Sequence, residues 1–300
     1  ASCATCAPLN PAYGFAEFDY YLSDLEPSAL IVQSGTSAPA SAAAQKNSIP
    51  IVELTPAADE PAGIFFLTAA GTVPNAGKNA QIEDCALILH TSGTTSRPKM
   101  VALTQGQLLA SANNIAAGLR MTDRDRCLNV MPLFHIHGLV GVLLSSIVAG
   151  ATVICTPGFD AEKFFGWLEQ YQPTWYSAVP TIHQAILANA RAHPTAIQRH
   201  RLRWIRSCSA SLPAAVALEL EKCFGVPVIE AYGMTEAAHQ IASNPLPPKE
   251  RKIGSVGLAT GTEIAVMDDK HHLLASGEVG EIVIRGATVI TGYANREGMD

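Results

Sequence analysis

Cys85 to Lys99 reads CALILHTSGTTSRPK, an apolar run of strand character that opens into Thr91-Ser92-Gly93-Thr94-Thr95-Ser96-Arg97-Pro98-Lys99. Hydroxyls, one glycine and a lysine therefore sit together at the end of a buried strand. Backbone N–H groups and hydroxyls in such a loop can wrap phosphate oxygens while the ammonium neutralises charge. It is not a P-loop, because only Gly93 precedes Lys99 and the G-x-x-x-x-G-K-[ST] spacing is missing.

Working outward, short apolar runs recur at 29–32, 51–54, 64–67, 127–131, 151–155, 174–179, 202–207 and 226–232. Helical patterns lie between many of them: FAEFDYYLSDLEPS from Phe15, QGQLLASANNIAAGL from Gln105, AEKFFGWLEQY, IHQAILANARAH and PAAVALELEKCF. Strands alternating with helices predict an α/β fold, with parallel-containing β-sheets flanked by helices. Residues 34–48, SGTSAPASAAAQKNS, read as a small-residue surface loop. Gly138 to Cys155, GLVGVLLSSIVAGATVIC, is long and uncharged. Ser145, Ser146 and Gly150 interrupt it, so it reads as a buried helix turning into a buried strand rather than a membrane span. After about residue 250 the pattern changes to short strands with Gly-rich turns, which predicts part of a small β-barrel over 246–300 following an α/β core over 1–245.

Composition narrows the function classes. With 48% hydrophobic and 15% charged residues, the chain is neither disordered nor a coiled coil. A net charge of -6 gives no overall positive field for nucleic acid or an anionic membrane surface. Seven cysteines, an odd number without framework spacing, suggest a reducing compartment. Cys3 and Cys6 lack the partners of a zinc site, and His135-x-His137 lacks a third and fourth ligand. The opening residues ASCATCAPLNP have no basic n-region or apolar h-region of a signal peptide.

Further motifs follow in order: CAPLNP (6–11), MPLFHIHG (131–138), SCSASLP (207–213), EAYGMTEA (230–237), GSVG (254–257), and GEVGEIVIRG with Gly292-Tyr293. Together with the 85–99 loop they resemble the adenylate-forming superfamily, which includes acyl-CoA synthetases, luciferases and adenylation domains of peptide synthetases. The resemblance covers essentially the whole chain. It implies that Thr91, Ser92, Gly93, Thr94, Thr95 and Lys99 hold the β- and γ-phosphates of ATP. It likewise implies an adenine pocket from Ala210, Glu230, Ala231 and Tyr232, an α-phosphate ligand in Thr235, and a Mg²⁺ carboxylate in Glu236. The implied reaction is attack of a carboxylate on the α-phosphorus, releasing pyrophosphate, followed by transfer of the acyl group to a thiol, CoA.

Amino-acid-activating relatives carry Phe-Asp where this chain has Phe134-His135, so no amine-binding carboxylate is expected there. His135, Ser209, Ser211 and His239 instead offer hydrogen bonds to a second carboxylate. HTSGTTSRPK, LFHIHGL, RSCSASLP and YGMTEAAHQ are most similar to the oxalate–CoA ligase branch, which implies a small dicarboxylate with oxalate first. Ser96 and Met100 depart from the glycines common in relatives. The family continues past Gly292-Tyr293 with a ribose-gripping motif, a hinge and a mobile lid carrying a catalytic lysine. None of these falls within the 300 residues, and the N-terminus is expected to begin inside the family's first subdomain. Two alternatives stay open: an ATP-binding module that is catalytically incompetent without its lid, and a luciferase-like or fatty-acid-activating relative. The expected location is intracellular, cytoplasmic or peroxisomal.

Overall fold

A computed structural model describes residues 4–36, 38–60, 63–69, 79–91 and 98–294. The chain divides into two compact units, Ala1–Ala80 and Gln81–Asp300. Cys3 and the loop residues Ser92, Gly93, Thr94 and Thr95 lie outside the described residues.

In the first unit, helix α1 (Phe15–Leu25) begins where Glu17 Oε2 accepts the Gly14 N–H at 2.8 Å. It ends with Glu26 in the left-handed region. Strand β1 (Leu30–Gln33) pairs parallel with β2 (Ile51–Pro56), which pairs antiparallel with β3 (Phe65–Ala69). Between β1 and β2 lies α2 (Ala38–Lys46), where a surface loop was expected. Alanine has the highest helix propensity, and Ala40, Ala43 and Ala44 are small enough to bury against Phe18 and Leu22 of α1. The alanines that suggested a linker are thus the buried face of a helix.

The second unit opens with a hairpin of β4 (Cys85–Thr91) and β5 (Lys99–Thr104). Thr104 then caps α3 (Gln105–Gly118) through a reciprocal box with Gln107. Next come β6 (Arg126–Asn129), a π-helical segment His137–Leu144, the short α4 (Ser145–Val148) and β7 (Thr152–Cys155). They are followed by α5 (Lys163–Tyr171), β8 (Trp175–Ala178), α6 (Pro180–Ala190), α7 (Pro194–Arg199), β9 (Trp204–Ser207) and α8 (Ala214–Phe224). Strand β10 (Val228–Met234) leads through a 3₁₀ turn at Thr235–Ala237 into β11 (His239–Ser243), and then β12 (Leu258–Ala259). An antiparallel pair, β13 (Glu263–Met267) and β14 (Glu281–Arg285), forms a separate two-stranded sheet.

Seven strands form the main sheet in the order β12-β11-β10-β9-β8-β6-β7, parallel from β10 to β7 and antiparallel at β10–β11 and β11–β12. Alternation along its strands sends Leu128, Tyr176, Ile205 and Val228 toward α5, α6 and α8, where Phe164, Leu168, Ile186 and Leu220 are buried. Cys127, Trp175, Trp204 and Ile229 face the other side, against Val101, Leu103, Ile115 and Val140. Both faces are covered, as the alternating pattern predicts. The 138–155 stretch does turn from helix to strand, but β7 is an edge strand and only half-buried. No helix among the described residues is long and apolar enough to cross a membrane.

Candidate active site

Two groups of side chains meet at the carboxyl ends of β8, β9 and β10 and on the hairpin. The first lies where β10 gives way to β11. Gly233 is required at this junction, because a Cβ there would stand 1.6 Å from the His239 carbonyl oxygen. The chain then reverses through Ala238 and His239, both with positive φ, at 48° and 100°. Non-glycine residues in that region are strained, and such strain is commonly held at functional sites. The 3₁₀ turn presents Thr235 and Glu236. Glu236 Oε1 accepts the Tyr293 hydroxyl at 3.1 Å and the Thr91 hydroxyl at 3.4 Å. Lys99, opposite Thr91 in the hairpin register, extends over the Tyr293 ring at 4.5 Å from its centroid. Thr91, Lys99 and Glu236, singled out separately in the sequence, therefore converge.

The second group lines a pocket of ≈ 280 Å³ walled by Ser207, Ser209, Ala210, Ser211, Glu230, Ala231, Tyr232 and the 254–256 turn, among others. The expected adenine-pocket residues and two of the expected acyl-pocket serines share this one cavity. Glu230 Oε2 accepts the Gly254 N–H at 2.9 Å. Burial raises the Glu230 pKa, against the opposing pull of that hydrogen bond.

Behind Ser209 lies a buried polar cluster that the motifs do not announce. Arg206 on β9 is fully buried, and it contacts Ser177, His137, His239, Gln240 and the Cys208 thiol. None of these is a carboxylate. No carboxylate among the described residues pairs with this guanidinium, and a buried cation without such a partner is energetically costly. The network also has a direction. A guanidinium can only donate, so Arg206 Nη1 donates to Ser177 Oγ at 3.2 Å. Arg206 Nη1 also faces His137 Nε2 at 3.5 Å, which makes that nitrogen an acceptor, so the Ser177 hydroxyl donates to it at 2.6 Å and the Nδ1–H of His137 donates to Ser209 Oγ at 3.0 Å. The proton of Ser209, which lines the pocket, is thereby left to donate into it. Arg206 Nη2 donates to His239 Nε2 at 3.0 Å and Gln240 Oε1 at 2.8 Å. Burial first, and the Arg206 charge second, hold His137 and His239 well below the ordinary imidazole pKa, so both are neutral acceptors.

His239 thus belongs to this group, stacked on His137 at 5.2 Å between ring centroids. His135 does not. It is exposed, with its ring tilted against Phe134. Two residues along a helical turn place side chains on different faces, so His137 is the one buried in the cluster. Arg206, Ser177 and Gln240 were missed in the sequence, although an arginine inside the apolar run LRWIRS is the signal that marks a buried charge.

The fold and these motifs define an adenylate-forming core, and the chain belongs to the AMP-binding enzyme family, which it matches over residues 2–294. It is 44% identical over 299 residues to the oxalate–CoA ligase of Arabidopsis thaliana, covering 97% of this chain and 58% of that protein. It is 41% identical over 312 residues to the oxalate–CoA ligase of Saccharomyces cerevisiae, covering 96% and 57% respectively. A solved malonyl-CoA ligase in a ternary product complex with methylmalonyl-CoA and AMP superposes with a TM-score of 0.82 at 30% identity, over 99% of this chain and 60% of that one. The chain therefore spans a little more than half the length of the relatives it matches.

Proposed function

We propose that this chain supplies the nucleotide- and acyl-binding core of an ATP-dependent acid–CoA ligase whose acid is a small dicarboxylate, oxalate first. The observation that carries this reading is the buried Arg206, which has no carboxylate partner among the described residues and is linked through Ser177 and His137 to Ser209 in the pocket wall. A carboxylate in the pocket would meet the Ser209 hydroxyl, oriented through His137 and Ser177, and would feel the buried guanidinium charge behind it. An aliphatic tail would instead leave the pocket-facing Ser209 hydroxyl without an acceptor. The relatives that act on oxalate and malonate are consistent with this chemistry.

In the proposed reaction one carboxylate of the acid attacks the α-phosphorus of ATP, and the bond to pyrophosphate breaks. A CoA thiol then attacks the acyl carbon and AMP leaves. Tyr232 and the 230–231 backbone wall the adenine, Thr235 donates to the α-phosphate, and Lys99 with the 91–95 loop neutralises the β- and γ-phosphates. Catalysis is then chiefly positioning and charge stabilisation. The donor set at Glu236 fits Mg²⁺, which takes one or two carboxylates beside phosphate oxygens and water. Glu236 is a single carboxylate, and both of its hydroxyl donors sit on one oxygen. When bound, Mg²⁺ supplies charge neutralisation at the phosphates.

Calorimetry tests the reading directly. Mg·ATP should bind, and both Lys99→Ala and Glu236→Ala should weaken it. Oxalate, malonate and succinate should bind in preference to acetate and octanoate, and Arg206→Gln should abolish that preference while keeping Mg·ATP binding. A protein that favours octanoate and is indifferent to Arg206→Gln would have another substrate.

A further inference from the structure

Residues 289–294 are fastened to both halves of the phosphate side of the site. Gln107 Nε2 donates to the Val289 carbonyl at 2.8 Å, Ile290 N–H to the Glu236 carbonyl at 2.9 Å, and Ala294 N–H to the Met100 carbonyl at 2.9 Å. These three bonds set Tyr293 between Glu236 and Lys99. Its ring packs partly buried against the core that holds Leu87, Leu89 and Val101.

The phenol meets its two neighbours through different chemistry. Its hydroxyl donates to Glu236 Oε1, the oxygen that also receives Thr91. With both donors on Oε1, the carboxylate is fixed in rotation, and Oε2 is left without a hydrogen-bond donor among the described residues. The ring face carries the Lys99 ammonium. A cation over an aromatic face is attracted to it, which confines a lysine side chain that would otherwise sample many rotamers.

We propose that Tyr293 is a positioning residue for the phosphate chemistry: its hydroxyl aims Glu236 Oε2 at the divalent cation, and its ring holds Lys99 toward the phosphates. This rests on the reading of Glu236 and Lys99 given above.

Calorimetric titration of the protein with ATP, at Mg²⁺ from none to saturating, separates the two functions. Tyr293→Phe keeps the ring and loses the hydroxyl. It should raise the Mg²⁺ midpoint about tenfold, the scale of one hydrogen bond to a charged group, and leave Mg²⁺-free ATP binding unchanged. In a Glu236→Gln background the same substitution should have no effect on that midpoint. Tyr293→Leu should in addition weaken Mg²⁺-free ATP binding several-fold, an increment that disappears in Lys99→Ala. If Glu236→Gln alone leaves the midpoint in place, the reading of Glu236 fails and the proposal falls with it. If Glu236→Gln moves the midpoint but Tyr293→Phe does not, the reading stands and the proposal is wrong. A shift from Tyr293→Phe that is equal in both backgrounds also overturns it, since general loosening acts irrespective of Glu236.

Discussion

Arg206 Nη2 lies 3.0 Å from His239 Nε2, a buried guanidinium donating to a neutral imidazole where an ion pair would ordinarily be found. The two side chains come from β9 and β11, on either side of β10, so the contact spans the strand that carries Glu230, Ala231 and Tyr232. The Arg206 cluster and the pocket wall formed by Glu230, Ala231 and Tyr232 are thus set on adjoining strands of one sheet.

A buried cation kept for binding should cost stability in the free protein. Arg206→Met removes the desolvation penalty, of several kcal/mol, and loses a few hydrogen bonds worth about 1 kcal/mol each. The expected outcome is urea unfolding within about 1 kcal/mol of the parent, or more stable, together with lost dicarboxylate binding. A loss beyond about 3 kcal/mol would show that the arginine is structural.

Acid should destabilise the fold well before the carboxylates titrate. Burial, with the Arg206 charge behind it, depresses the pKa of His137 and His239, and burial takes His183 down to about 4 from an ordinary 6.5. Below pH 6.5 the unfolded chain takes up protons that the folded chain refuses, so stability falls as pH drops. Each such histidine contributes about 1.4 kcal/mol per pH unit until its folded pKa is reached, which for His183 means a window from 6.5 to about 4. Denaturant midpoints measured from pH 7 to 5 should fall steadily, and a flat profile would contradict the burial of these rings.

Gly141 in the π-helical segment makes room for His239, since a Cβ there would lie 2.4 Å from His239 Nε2. Gly141→Ala should cost about 1–3 kcal/mol by overpacking and displace the imidazole from Arg206. Dicarboxylate binding should weaken with Mg·ATP binding retained. Equal loss of both ligands would mean that the damage is general.

In the first unit, Ala43 and Ala44 are fully buried in α2. Ala43→Leu should cost about 1–3 kcal/mol because no space exists for the added atoms, whereas Ser48→Ala in the following turn should not approach that. Chemical denaturation of the two variants checks the difference.

What could be read from the sequence follows from how contiguous each feature is. The 85–99 loop and the 230–236 run are continuous, so their residues declare themselves together, and alternation of apolar runs gave the layered sheet. Arg206, Ser177, His137 and Gln240 come from β9, β8, the π-helical segment and β11, and only the sheet order brings them into contact. That His137 rather than His135 joins the Arg206 cluster could not be read from the motif, because the face a side chain takes depends on the helical turn it enters. The 34–48 stretch misled in another way. Its alanines fit both a linker and a helix, and the apolar face of α1 decides between them.

The bonds from Glu236 to Thr91 and to Tyr293 span 145 and 57 residues of chain. On a ribosome adding about 5–20 residues per second, Glu236 is made roughly 3–11 s before Tyr293 exists. For that interval the nascent chain holds the β4–β5 hairpin and most of the main sheet without the phenol that orders the phosphate side. The contacts that Glu236 makes on the phosphate side are therefore completed only after Tyr293 has been synthesised, long after Thr91 and the hairpin.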